Sequence, residues 1–411
     1  MNVRRSAAAL AAVGVLAAAA PATAADASPS ASPKVSLPAG LFGKADPTYD
    51  GVWRQSLALL AQRTAGERSA DSAVGWLAGQ QCDNGGFAAF RADTAKPCGG
   101  KSGAQPDTNS TAAAVQALQA VGGHDGEVRK AVTWLKGIQG KDGGWGYSPG
   151  GPSDTNSTSV VIGALASAGE DPTRLHTAGK TPEQALTGLS LACSADGGGA
   201  FAYQPDKKGT LVANADATAA GVLGALGKGF VVTAGKLRDK APACSSSGKA
   251  TPARLADNAS AYLAGAVAKT GHLMSAMPGA TDQPDVGNTA DTVVALAADG
   301  WTEQAKKPYA WLEKNGVAWA EQTGPAAYAQ LILTAHAMGE QPRNFGGTDL
   351  VQALDKLGPA PQQWKKAGEH EQTAEKKDSG SGAGVWWIVG VGLVAGIGIG
   401  FLLSGRKKRQ P

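Results

Sequence analysis

Two kinds of helical stretch alternate along the middle of the chain. One kind is built from small residues. In 108–121 the apolar positions Ala114, Ala117, Leu118 and Val121 recur at helical spacing, and the same texture fills 51–65, 155–168, 214–227, 288–299 and 326–338. Small residues on every side suit helices buried on every side. The other kind, at 69–81, 127–139, 183–193, 256–270, 303–314 and 348–357, carries more charge, as in Glu127, Arg129, Lys130 and Lys136. Those stretches suit an outer layer. Strict alternation of six inner with six outer helices predicts an all-α fold, an α6/α6 toroid over 41–358.

The punctuation repeats as well. Asp107-Thr108-Asn109-Ser110-Thr111 and Asp154-Thr155-Asn156-Ser157-Thr158 open two inner stretches, and Gly122 and Gly169 close them. Side-chain oxygens at such starts accept from the first amides of a helix, and glycine ends it. Asn214-Ala215-Asp216 and Asp285-Val286-Gly287-Asn288-Thr289 open two more. The outer stretches end in glycine turns: Trp76-Leu77 leads to Asn84-Gly85-Gly86-Phe87, and Trp134-Leu135 to Gln139 and Asp142-Gly143-Gly144-Trp145-Gly146. A weaker copy ends at Asp196-Gly197-Gly198 and Phe201. The loops at 196–213 and 230–255 are long; alternation in 200–212 around Asp206 predicts a hairpin.

The ends add a compartment. Arg4 and Arg5, the apolar run 7–20 and Ala22-Thr23-Ala24 read as a secretory signal over 1–24. An Ala/Ser/Pro-rich linker follows at 25–40, and a polar linker at 359–384. Residues 385–403 hold no charge, enough for one membrane-spanning helix, with Trp386 and Trp387 at its outer end and a basic tail at 404–411. The expected location is outside the cell, held in the membrane by the C-terminal helix with the tail in the cytoplasm. Net charge is +4 over the 411 residues. Removing the six basic residues of the two ends from 38 leaves 32 against 34 acids, a net of −2, so no nucleic-acid surface is expected. Export also places Cys82, Cys98, Cys193 and Cys244 where disulfides persist, and sequence-local pairing favours Cys82 with Cys98 and Cys193 with Cys244.

The string at 134–146 resembles the repeat of squalene and oxidosqualene cyclases and of protein prenyltransferase β subunits, whose fold is the toroid just counted. More distantly the fold is similar to the toroid of vitamin B12 carriers. The resemblance implies three chemistries. In the cyclases an Asp-x-Asp-Asp-Thr segment supplies a protonating acid; here Asn156 or Gly287 stands at the acid position, and Trp53 and Tyr328 are the aromatics found on the inner stretches. In the prenyltransferases zinc is held by Asp, Cys and His; Asp107 and Asp154 match the Asp, Asn109 and Asn156 replace the Cys, and the His register falls near Asn288. The B12 carriers imply a corrinoid ligand, held against a second domain that a partner chain would supply.

Other constellations are thin. His124, His176, His272, His336 and His370 do not fall at H-E-x-x-H spacing, and no G-x-S-x-G occurs. A carboxylate pair for glycan cleavage could come from Asp154, Asp285 and Asp291. What remains is a polar mouth where inner helices start: Asp107, Asn109, Asp154, Asn156, Asn214, Asp216, Asp285, Asn288 and Asp291. Each is explained by capping, yet several segments offer more oxygens than a cap needs. The expectation is a non-catalytic surface protein binding a small molecule, such as a corrinoid, or an extracytoplasmic protein partner, without cofactor or metal. An envelope scaffold, or an enzyme of terpenoid cyclase, prenyltransferase or glycan-active type, is the alternative.

Overall fold

A computed structural model describes residues 38–100, 103–247, 250–275 and 283–363. The expected signal segment 1–24 and spanning helix 385–403 lie outside the described residues. Among the described residues, no helix is long and apolar enough to cross a membrane.

The inner helices are α1 (Gly51–Thr64), α3 (Thr108–Val121), α5 (Thr155–Ser167), α7 (Ala215–Ala225), α9 (Val286–Ala298) and α11 (Pro325–Met338). The outer helices are α2 (Asp71–Gly79), α4 (Asp125–Gly137), α6 (Pro182–Leu189), α8 (Pro252–Ala268), α10 (Thr302–Thr323) and α12 (Leu350–Asp355). Each inner helix packs against the next, and α11 returns to α1, so the inner ring closes. Every outer helix leans on the inner helix before it and the one after. Burial follows the composition. In α3 everything from Ser110 to Leu118 is buried, whereas α4 buries the stripe Val128, Ala131, Val132 and Leu135. The ring is also tied chemically, by Gln62 Nε2 donating to Asp355 Oδ1 at 2.7 Å and by the Glu67–Arg343 ion pair.

The glycine turns are the joints of the array. At the end of α4, Gln139 Nε2 donates to the Gly143 carbonyl at 2.8 Å, and Asp142 Oδ1 accepts from the Gly144 amide at 3.2 Å. Gly143 has φ +89°, and a Cβ there would run into the Thr181 carbonyl oxygen at the start of α6. Glycine meets both demands at once. The aromatic that follows is then anchored to the next inner helix. Thr158 Oγ1 accepts from the Trp145 amide at 3.0 Å, Thr111 does the same for Phe87 at 2.8 Å and Thr218 for Phe201 at 3.0 Å. Thr158→Val keeps the shape but leaves the buried Trp145 amide without its acceptor. We expect a loss of about 1–2 kcal/mol in urea melts; a neutral result would mean that water reaches that amide.

Two expectations shift. α10 was expected over 303–314 but runs on to Thr323, because Gly316 does not end it. Gly316 lies against the Leu331 side chain, so it marks close packing on α11 rather than a stop. The 200–212 hairpin reduces to one isolated bridge, Ala202 with Ala213, because Asp206 gathers the turn, its Oδ1 accepting from the Lys208 and Thr210 amides at 2.8 Å each. Both disulfides join the pairs expected, with Cα–Cα of 5.6 Å in each.

Candidate functional site

The polar mouth separates into two groups. Asp107 caps α3, its Oδ1 accepting from the Ser110 amide at 2.7 Å, and Asp154 caps α5 through the Ser157 amide at 2.6 Å. Asn214 caps α7 through Ala217 at 2.8 Å. Asp285 caps α9 through Asn288 at 3.1 Å, and the Asn288 side chain turns back onto it at 2.7 Å. None of these five lines the central cavity. Because asparagine caps as well as aspartate, Asp107→Asn, Asp154→Asn and Asp285→Asn should each lower stability by less than about 1 kcal/mol in chemical denaturation, if at all. A larger loss at any one would show that its charge, and not only its oxygen, is used.

Asn109, Asn156, Asp216 and Asp291 line a cavity of about 410 Å³ at the axis of the ring. That volume falls within the range of small-molecule sites. Leu57, Val160, Leu223, Val294 and Leu333 supply apolar wall from five inner helices. Trp53 on α1 and Trp319, in the last turns of α10, face the same space. The segment Lys228-Gly229-Phe230 also lines it, from the C-terminal ends of the inner helices. Gln116 Oε1 accepts from the Phe230 amide at 2.8 Å, Phe230 meets Trp53 edge to face at 5.3 Å, and Lys228 Nζ donates to the Ala298 carbonyl at 3.0 Å. Trp319, Phe230, Lys228, Gln116 and Gln330 are absent from the sequence expectation. A signal existed for the two glutamines, which are polar residues on helices otherwise built from small apolar ones. Tyr328, expected from sequence as an inner aromatic, is packed in the helix-to-helix core instead.

The electrostatics of the cavity centre on two carboxyls. Burial, then the neighbouring Asp216 charge, pushes the Asp291 carboxyl up to about 7; the 2.7 Å bond from Gln330 Nε2 opposes this, and Asp285 adds to it. Asp216 is also raised by burial, against a 2.9 Å bond from Asn156 Nδ2. Asp291 therefore spends neutral pH between acid and carboxylate beside an aromatic wall. A neutral carboxyl held this way can give up a proton, and an ionised one can hold a cation. His336, on α11, is half-buried and lowered by burial, and it does not line the cavity. All four cysteine sulfurs are joined in disulfides and offer no thiolate to a metal.

No family model matches the chain. Drimenyl diphosphate synthase of Streptantibioticus cattleyicolor is 38% identical over 81 residues, which is 20% of this chain and 14% of that protein. Among solved structures, ent-copalyl diphosphate synthase from Streptomyces platensis matches at 14% identity and a TM-score of 0.45, over 70% of this chain and 50% of that one. A protein from Actinoplanes matches at 14% identity and a TM-score of 0.45, over 73% and 92%. The chain thus spans about one seventh of the curated relative and half of the synthase structure. The sequence likeness to drimenyl diphosphate synthase is confined to those 81 residues. The link to vitamin B12 carriers rests on fold analogy alone.

Proposed function

We propose that the chain is a terpenoid-cyclase-type enzyme whose central cavity takes an isoprenoid, with Asp291 as the proton donor. The observation that carries this reading is the Asp291 carboxyl, held near pH 7 in an apolar cavity faced by Trp53, Phe230 and Trp319. The cyclase acid position is occupied by Gly287, but Asp291 lies four residues on, one turn deeper along the same face of α9. Its proton would add to a carbon–carbon double bond, and the π electrons of a second double bond would close the ring. The resulting cation would face three aromatic rings, which stabilise positive charge, and loss of a proton from the adjacent carbon to the Asp291 carboxylate left by the first step would give the neutral cyclic alkene. The local likeness to drimenyl diphosphate synthase supports the same class.

We place this activity outside the cell. Two disulfides suit an oxidising compartment, and the signal expected at 1–24 and the spanning segment expected at 385–403 would deliver and hold the toroid there. A second reading, binding without turnover, is favoured by the bond from Asn156 to Asp216, which favours an ionised group suited to holding a ligand. Incubating the purified chain with squalene, farnesol and farnesyl diphosphate, and analysing extracts by mass spectrometry, separates the two. Cyclic product that disappears in Asp291→Asn supports the enzyme; substrate recovered unchanged in every case leaves the binding reading.

A further inference from the structure

We infer that the cavity also binds a primary ammonium ion carrying an apolar chain, with Asp216 and Asp291 holding the charge and Trp53, Phe230 and Trp319 covering the chain. The inference uses the cavity of the proposed function but not its turnover.

The first argument is the kind of polar atom that the wall leaves open. Asn109, Asn156 and Ser159 line the cavity, and Asn109 Oδ1, Asn156 Oδ1 and Ser159 Oγ are buried atoms without a hydrogen-bond partner, the last lying against Gly224. Ser159 is only 3% exposed. Two of the three are pure acceptors, and the third is a hydroxyl that can accept. The Asn156 amide is not free to exchange its ends, because its Nδ2 is committed to Asp216 Oδ2 at 2.9 Å. Gln330 likewise spends its Nε2 on Asp291 Oδ1 and on the Gly287 carbonyl, at 2.7 and 3.0 Å. The partner that the Asn156 carbonyl oxygen lacks is therefore a donor. A primary ammonium has three donors and no acceptor.

The second argument is charge. Among the described residues lining the cavity, Lys228 is the one cation, against Asp216 and Asp291. Its Nζ is bonded to the Ala298 carbonyl, seven residues from Asp291 on α9, about 10 Å along the helix. No lining cation is thus placed beside the two carboxyls. Burying unpaired carboxylates is costly, and a cationic ligand removes that cost. A phosphate or diphosphate would bring negative charge and acceptors to a wall of acids and acceptors. The third argument is the aromatic lining, since Trp53, Phe230 and Trp319 offer apolar cover for the chain that carries the charge.

Asp291 is faced by Asp216 from α7, by neutral Gln330 from α11 and by Asp285 at the start of its own helix. On α8, Asp257 is paired with Arg238, which also reaches Asp299 past the far end of α9. Burial and the two neighbouring carboxyls thus favour its protonated form, against the Gln330 bond, until a cation arrives. Ammonium binding should strengthen as pH rises through about 7, release a proton below that pH, and level off above about 8, well before an amine near 10.4 loses its charge.

The test is isothermal calorimetry of the full chain with three probes of equal chain length: decylammonium, decanol and decyl phosphate. We expect decylammonium to bind most tightly at pH 8 and to weaken at least tenfold by pH 5.5, with decyl phosphate giving no saturable heat. Asp216→Asn and Asp291→Asn should each weaken decylammonium at least tenfold while retaining the wild-type helical circular dichroism. The pH series on the unaltered chain needs no variant, so a folding defect cannot decide the outcome. Equal or tighter binding of decyl phosphate or decanol, or decylammonium affinity independent of pH, overturns the inference. Failure to turn over isoprenoids overturns only the proposed enzyme, because calorimetry reads binding alone.

Discussion

Asp291→Asn should melt at a higher temperature than the unaltered chain at pH 8 and at the same temperature at pH 4. The folded carboxyl is pushed up to about 7, chiefly by burial and then by Asp216, whereas an unfolded aspartate titrates near 3.9. Its folded pKa is raised, so its stabilising contribution is fully present below about pH 4 and is lost as pH rises through 7. The full shift corresponds to a ceiling of about 4 kcal/mol between those limits. The opening of the cavity to solvent lowers this, and we expect about 1–3 kcal/mol. Asparagine removes the ionisation and keeps an oxygen for Gln330 Nε2, so it should be level with the protonated acid at pH 4 and ahead of the carboxylate at pH 8. The same variant should lose any isoprenoid turnover, since an amide gives up no proton to an olefin. A variant at once more stable and inactive is what a strained functional acid predicts. If Asp291→Asn were instead less stable at pH 8, the carboxylate would have a stabilising partner in the fold, and the acid reading would fail with it.

The ring of helices was legible because its causes are local and periodic. Glycine ends recur after every inner helix and capped polar starts in α3, α5, α7 and α9, whereas α11 starts at Gly324-Pro325. The site was only half legible. Asp291 stood in the expected polar ring as one more residue at a helix start, but it is the sixth residue of α9, a full turn inside the cap that Asp285 already provides. Counting the turn would have separated it from the caps. Trp319 was hidden because Gly316 reads as a helix end, and only the packing against Leu331 shows otherwise. Phe230 sits in a non-periodic loop, where nothing in the spacing says that the chain folds back to the axis. Gln116 holds that segment through the Phe230 amide, 114 residues away, a contact no local pattern can carry.

That loop yields the second large effect. Replacing Cys193 and Cys244 together with Ser should destabilise the toroid by about 4 kcal/mol, more than the roughly 3 kcal/mol expected for the Cys82 and Cys98 pair. The order follows from loop closure: the first bridge joins residues 51 apart, the second residues 16 apart, and the longer loop gains more freedom in the unfolded chain. The longer bridge also encloses α7 and the Lys228-Gly229-Phe230 segment, so its loss acts on the cavity. Cys244 lies in the long connection between α7 and α8, which is otherwise held at a few points. Ser245 is bonded to Asn258, Arg238 to Asp299, and Lys228 to the Ala298 carbonyl. Without the bridge, these bonds, the Gly235 amide on the Ala297 carbonyl and the Phe230 amide on Gln116 are left to keep Phe230 against Trp53. The double Ser variant should therefore lose its denaturant midpoint and bind decylammonium more weakly even where it is still folded. Guanidinium melts of the two double variants, read by tryptophan fluorescence, give the order directly. The reverse order would mean that residual structure in the unfolded chain, rather than loop length, sets what each disulfide contributes.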